Sequence, residues 1–489
     1  LDAGLSAIVV LNKIDRPDAR PAEVLDEVYD LFIDLGAEDE QLEFPVFYTN
    51  AKEGLASTKP DVLGENLVPL FDSIVDHIPA PKGDGDAAAQ ALITNLDYDN
   101  YIGRLGIGRV RNGCLREGQQ ITVMGEESNR TLKLSQLYVF EGLERVRVKE
   151  APQGEIFAIA GVDDLSIGDT LADPEAPVAL TRVSVDEPTI AMFFRANTGP
   201  FAGLDGKYVT TRNIRDRLDR ELLGNVSLRV EETEGRDAFK VVGRGELALA
   251  ILIENMRREG FELCVSRPEV VTKNDADGKL LEPQEHVILD VPEIFVGVLT
   301  QKLAGRKGRM GDMRTLGSGR VHVEYNVPSR GLIGFRSEFI NDTRGLGVMN
   351  TLFDGWAPWA GEITSRINGA LVCDRKGVST TYALWNLQPR GRLFIGAQEE
   401  VYDGMVIGEH AKWNDLSINP TKEKQLNNIR TVNKDEAMVL SPPRQMTLEI
   451  ALQWIGDDEY VEATPKTIRI RKAELNAHLR PKKNKPVGV

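Results

Sequence analysis

LSAIVVLNKIDRP, residues 5–17, passes from an apolar run to a charged turn within a few residues. Ala7 to Leu11 have the continuous apolar character of a parallel strand buried on both faces. Asn12-Lys13-Ile14-Asp15 then falls at the strand's C-terminal end, where open α/β sheets bind their ligands. The Asp15 carboxylate can accept two hydrogen bonds from the N1–H and N2–H2 edge of guanine. Adenine offers an acceptor at N1 and no amino group at C2, leaving that carboxylate unpaired at a cost of roughly 1–3 kcal/mol per group. The stem of Lys13 can lie along a base, and the Asn12 amide can tie neighbouring loops together. A surface turn after a core strand is the simpler reading of these four residues taken alone.

A second unit strengthens the guanine reading. The apolar run from Phe44 to Phe47 leads into Thr49-Asn50-Ala51-Lys52-Glu53-Gly54. This resembles the last nucleotide loop of the GTPase fold, whose Ala backbone N–H reads guanine O6; Asn50 stands where Ser is usual. Asn12, Lys13, Asp15, Asn50, Ala51 and Lys52 are therefore the candidate guanine-binding residues. Between the two units, residues 21–35 have helical periodicity, with Pro21 in the first turn and Gly36 as the stop. A last helix, Leu67 to His77, closes this part.

The phosphate cradle is missing. No GxxxxGK[ST] run occurs; Gly206-Lys207 is followed by Tyr208, and Asp61-Val62-Leu63-Gly64 has the DxxG shape but follows the guanine reader. We therefore expect the C-terminal part of a longer GTPase, with no catalytic residue of its own. It should bind GTP or GDP through the base alone, leave Mg2+ to the full-length protein, and by itself be inactive in hydrolysis.

At 489 residues the chain is several domains. Cys114, Cys264 and Cys373 lie far apart, without pairing or zinc spacing, which points to a reducing cytoplasm. The five histidines form no ligand cluster, so no metal is expected. No apolar run is long enough to span a membrane. The net charge of −16 argues against a protein that coats nucleic acid. Local patches decide electrostatic footprints, however, and basic residues crowd 302–344 and 466–485.

Residues 79–89 read as a linker rich in Pro, Gly, Asp and Ala. Short apolar runs between Gly-containing turns follow to about 180, the signature of an antiparallel barrel. Residues 186–267 read strand, helix, strand, strand, helix, strand, the split βαβ order of a ferredoxin-like fold. The same order recurs from 284 to 354, with a helix expected at 331–340. Leu249, Leu252, Ile253 and Met256 form an i, i+3, i+4, i+7 core stripe. Several short strands and one helix near 447–455 are expected in the last part.

The runs DEPTIAMFFRANTGPFAGLDGKYVTTRNIRDRLDREL, GRGELALAILIENMRREGFELCVSRPEVV and PSRGLIGFRSEFINDTRG resemble the third and fifth domains of the BipA/TypA ribosomal GTPases. Residues 414–472 resemble the C-terminal domain peculiar to that family, rather than its relative LepA. Nearly the whole chain is covered. The resemblance implies a multidomain architecture: an α/β GTPase-domain remnant (1–80), a translational antiparallel β-barrel (81–182), two ferredoxin-like α+β domains (186–270 and 280–358) and a mainly-β C-terminal domain (360–489). Only about fifteen residues separate the two ferredoxin-like units, so the large domain between them in elongation factor G is absent.

The resemblance further implies a monomeric cytoplasmic GTPase. It would act in large (50S) subunit assembly and stress adaptation, bind the ribosome through 23S rRNA and transfer RNA, and not bind a membrane. The alternatives are a non-hydrolysing ribosome-binding module and a LepA-like elongation factor. By resemblance, the loop at 414–430 reaches towards the acceptor end of transfer RNA, which makes Lys422, Lys424 and Arg430 candidate contacts. Arg306, Lys307, Arg309, Arg330 and Arg336 are candidates because glycines interleave the basic residues there, letting backbone amides approach phosphates. Ser329-Arg330-Gly331 also opens a predicted helix, whose N-terminus attracts anions. Arg469 and Arg471 alternate with Ile468 and Ile470 and should present one strand face to RNA. A merely solvated charged face is the competing reading for 302–344.

Overall fold

A computed structural model describes the chain except residues 2–3, 63, 100, 127, 163–164, 184–186, 236, 316–318, 364–365, 367, 425–437 and 481–489. Strand Val9–Asn12 runs parallel to Val46–Asn50, and Leu55–Ser57 adds on antiparallel. Helix Pro21–Asp34 lies between the parallel pair in sequence, with Pro in its first turn. Tyr29 stacks on Phe44 with ring centroids 5.0 Å apart. The first strand is not buried on both faces as its composition implied: Leu11 is buried, but Val10 is 42% exposed. It is the outer strand of a three-stranded sheet and has a neighbour on one side only.

From Gln90 to Ala172 one eight-stranded sheet is antiparallel throughout. It surrounds a core that includes Ile93, Leu115, Leu137, Phe157 and Leu171. Packing is close enough that a Cβ on Gly108 would meet the Leu92 carbonyl oxygen at 2.0 Å.

The next unit has strands Ile190–Ala196, Arg229–Glu232, Ala238–Gly243 and Leu263–Val265, with helices Thr211–Gly224 and Glu246–Arg258. Numbered in chain order, its strands lie side by side as 2-3-1-4. The Thr210 hydroxyl caps the first helix by accepting the Asn213 N–H at 3.2 Å. Leu249, Leu252, Ile253 and Met256 of the second helix are all buried.

Residues 280–358 repeat the pattern, with strands Leu280–Pro292, Arg309–Thr315, Arg320–Pro328 and Val348–Pro358 again in the order 2-3-1-4. Their first helix is Glu293–Gly305. The second helix differs from expectation. It is two short pieces, Ser329–Leu332 and Phe335–Asp342, divided at Gly334, whose φ is +73°. That left-handed geometry favours glycine and ends the first piece.

The largest departure concerns the C-terminal part. Leu263–Val265 pairs with Glu459–Ala463, and the sheet continues through Ile468–Lys472, Met405–His410, Ala370–Cys373 and Leu416–Ile418. The result is one eleven-stranded sheet and one core, which joins Met192, Phe194 and Ile253 to Ala451, Trp454 and Val461. The spans 186–270 and 360–489, read from sequence as separate domains, therefore share a sheet. Backbone pairing across such a seam leaves no mark in either segment's side-chain pattern.

Candidate functional site

The parallel pairing sets Asn12 beside Thr49 and brings the two loops together at the strand ends. The Asn12 Oδ1 accepts the Ala51 N–H at 3.0 Å and the Thr49 hydroxyl at 3.2 Å. The N–H that the resemblance assigned to guanine O6 is thus held by Asn12 here. Asn50 is buried and its Oδ1 accepts the Glu53 N–H at 3.4 Å, which rounds the second loop. Lys13 has φ +64°, turning the chain sharply after the strand. Lys13, Asp15 and Lys52 are exposed, and Asp15 has no ion pair or side-chain hydrogen bond among the described residues. Asp15 is thus a free carboxylate beside a strand-end turn.

The magnesium loop is a different matter. Gly64 of the DxxG stretch packs so tightly on the Leu55–Ser57 strand that a Cβ would meet the Ala56 carbonyl oxygen at 1.8 Å. This glycine serves a turn rather than a phosphate, and the residues present do not fit a Mg2+–phosphate group.

The candidate RNA contacts divide sharply. Arg330 is bound by Glu282, which is 0% exposed, through its Nε at 2.5 Å and Nη2 at 3.0 Å; the same Nη2 reaches the Gly361 carbonyl at 2.6 Å. Its guanidinium also covers the Trp359 ring at 3.7 Å. Arg306 donates to the Gly331 and Ile333 carbonyls and to Glu338. Arg471 is 3% exposed and lies 3.2 Å from the Glu462 carboxylate, and Arg469 reaches the same carboxylate at 3.1 Å. These four arginines hold the fold and are withdrawn as RNA contacts. Desolvated guanidinium groups need such partners, and the partners come from other elements of the fold. The expected anion site at Ser329 also fails, because Ser329 is buried in a single helical turn.

Lys307, Arg309, Arg336 and Lys422 remain exposed, with no ion pair among the described residues, and Lys424 is exposed too. Arg430 lies outside the described residues.

A carboxylate cluster that the sequence reading missed joins Asp415, Asp458 and Glu459. The Lys472 ammonium already fills its centre, 2.5, 2.8 and 2.7 Å from the three. Arg366 adds a second cation on Glu459 at 2.7 Å. Burial pushes the Glu459 carboxyl up, but Arg366 and Lys472 outweigh it and the net shift is downward. One acid more than forty residues before an adjacent pair carries no motif by which sequence could have found the cluster.

Family comparisons follow the same module order. Residues 1–80 match the elongation factor Tu GTP binding domain, 103–172 elongation factor Tu domain 2, 279–367 the elongation factor G C-terminus, and 368–477 the TypA/BipA C-terminal domain. Matches to a translation-factor GTP binding domain, to its second domain and to an elongation factor G C-terminus together define a translational GTPase. The large ribosomal subunit assembly factor BipA of Salmonella typhimurium is 49% identical over 486 residues, covering 99% of this chain and 80% of that protein. The factor of the same name from Escherichia coli K12 gives the same values, and that from Synechocystis is 47% identical over 473 residues, covering 96% and 79%. The chain belongs to the BipA/TypA family.

Proposed function

We propose that this chain acts on the ribosome as a GTP-dependent large-subunit assembly factor. The observation that carries this reading is near-half identity, along almost its full length, to relatives bearing that name. The match of 368–477 to the TypA/BipA C-terminal domain favours it over a LepA-like factor. In this reading exposed Lys13, Asp15 and Lys52 meet the guanine base, and Asn12, Asn50 and Ala51 hold the two loops that present them. Hydrolysis to GDP and phosphate, and Mg2+ binding, fall to a phosphate-binding half that these residues do not include. The two 2-3-1-4 units act as ferredoxin-like modules and the 90–172 sheet as the translational barrel.

Lys307, Arg309, Arg336, Lys422 and Lys424 are the RNA contacts, to 23S rRNA and, near Lys422 and Lys424, to transfer RNA. Such phosphate contacts give affinity with little sequence preference and a steep dependence on salt. The protein works as a cytoplasmic monomer, and no helix among the described residues is long and apolar enough to cross a membrane. The test is sedimentation of the protein, with its phosphate-binding half, against isolated 50S and 30S subunits across a salt series. Binding to 50S that is stronger with a GTP analogue than with GDP, and that weakens with salt, is the expected result. Equal binding to both subunits, or none, overturns the reading.

A further inference from the structure

Of the five tryptophans, Trp356, Trp359 and Trp454 have a cation on the ring, while half-buried Trp413 and exposed Trp385 do not, among the described residues. Lys273 covers Trp356 at 3.8 Å, Arg330 covers Trp359 at 3.7 Å and Arg366 covers Trp454 at 4.1 Å. Trp385 has neither a cation nor a ring against it among the described residues, and it is 39% exposed. It lies on the outer face of helix Thr381–Leu387, whose Ala383, Leu384 and Leu387 are buried.

That helix is held at its start by Lys422 and after its end by Ser441. The Thr380 hydroxyl donates to the Lys422 carbonyl at 2.6 Å, and the Ser441 N–H donates to Gln388 at 2.6 Å. Exposed Lys376 and Lys422 therefore stand near the helix start, with exposed Arg390 and Arg392 after its end. The acids nearby are in part engaged: Asp374 is paired with Arg375 at 2.8 Å, and Glu399 accepts the Gly396 N–H at 2.6 Å, leaving Glu423 and Glu400.

We propose that Trp385 is a stacking platform for an unpaired base of RNA, with Lys376, Lys422, Arg390 and Arg392 holding the flanking phosphates. The proposal rests on the ribosomal reading above and deepens it. A flat, unpartnered ring between basic residues is how single strands are held without sequence preference. Cations on both sides of the ring match a backbone that carries a charge at every nucleotide.

The test uses the full chain, a ten-nucleotide oligoadenylate and an RNA duplex of equal length, with binding read by fluorescence anisotropy. Trp385→Ala should weaken oligoadenylate binding by about 10-fold or more, and Trp385→Phe should retain most of it. Duplex affinity should barely change. Changing Lys376 and Lys422 together to Ala should flatten the salt dependence. Tryptophan emission that oligoadenylate quenches in the parent but not in Trp385→Phe gives support that does not depend on how the Ala variant folds. Unchanged oligoadenylate affinity in Trp385→Ala, equal loss on duplex, no binding by the parent, or identical quenching in parent and Trp385→Phe each overturns the platform. If the parent still sediments with 50S subunits, the platform alone has failed; if it does not, the ribosomal reading has failed with it.

Discussion

The Asn12 side chain accepts the Ala51 backbone N–H at 3.0 Å, joining loops 39 residues apart. That bond makes two short sequence signals into one place. Asn12→Ala removes the acceptor for both Ala51 and Thr49, so both loops lose their mutual register. In the protein with its phosphate-binding half, guanine nucleotide affinity should fall about 10-fold, the value of roughly one hydrogen bond. Equilibrium dialysis against labelled GDP measures it, and undiminished affinity counts against the assignment.

Asp15→Asn exchanges an acceptor for a donor at the exposed carboxylate three residues after Asn12. The expected outcome is a switch of preference from guanine towards xanthine nucleotides, since xanthine carries an oxygen where guanine carries its 2-amino group. Competition between the two nucleotides reads the switch directly. Retained guanine selectivity rules Asp15 out.

Arg471→Met leaves the fully buried Glu462 with Arg469 as its remaining close cation. Breaking a buried pair from one side costs on the order of 3–5 kcal/mol, and the second arginine should keep the loss near the lower end. Lys422→Ala, at an exposed site, should change stability by less than about 0.5 kcal/mol while lowering ribosome affinity at low salt. Urea unfolding and subunit sedimentation, run on both variants, should therefore give opposite rankings.

The Lys472 cage makes acid the weak side of the shared sheet. Glu459 has a folded-state pKa below its unfolded value, so its stabilising contribution is present above the unfolded range near 4.3 and disappears as pH falls through the lower, folded value. Lys472→Met should remove part of this contribution, Arg366 keeping the rest, and its destabilisation should be larger at pH 7 than at pH 4. Thermal melts at the two pH values check this; a loss independent of pH means that the cage is not electrostatic.

Glu246 behaves in the opposite sense. Both its carboxylate oxygens sit 3.2 Å from the Gly334 N–H, where the first 2-3-1-4 unit meets the second. Burial raises its pKa, and the Gly334 N–H and Arg306 offset only part of that rise. Its contribution is full below the unfolded carboxylate range and is lost as pH rises through the folded value. Glu246→Gln should therefore flatten the decline in stability as pH rises above the unfolded carboxylate range. At the same joint, Gly334→Ala places a Cβ 3.3 Å from the Gln453 side chain at φ +73°, and should cost about 1–2 kcal/mol. Both effects are read from melting curves.

Much of the architecture was legible because its signals are short in range. The stripe of Leu249, Leu252, Ile253 and Met256 fixed a buried helix face, and the order of strand and helix runs anticipated two repeated units. The pairing of Asn12 with the second loop could be foreseen from chemistry alone. The misjudged arginines were legible only as charges. Arg330 finds Glu282 at a separation of 48 residues, and Arg471 finds Glu462 across a strand pair, so nothing adjacent to either arginine marks it as buried.

By itself, then, the sequence determined the order of modules, the helix faces and the residues suited to a guanine edge, because periodicity and side-chain chemistry are local properties. Tertiary structure alone decided which cations reach solvent, and that Leu263–Val265 extends into the C-terminal strands as one sheet. Those outcomes depend on backbone pairing and on distant counter-charges, and neither is written in the residues on either side.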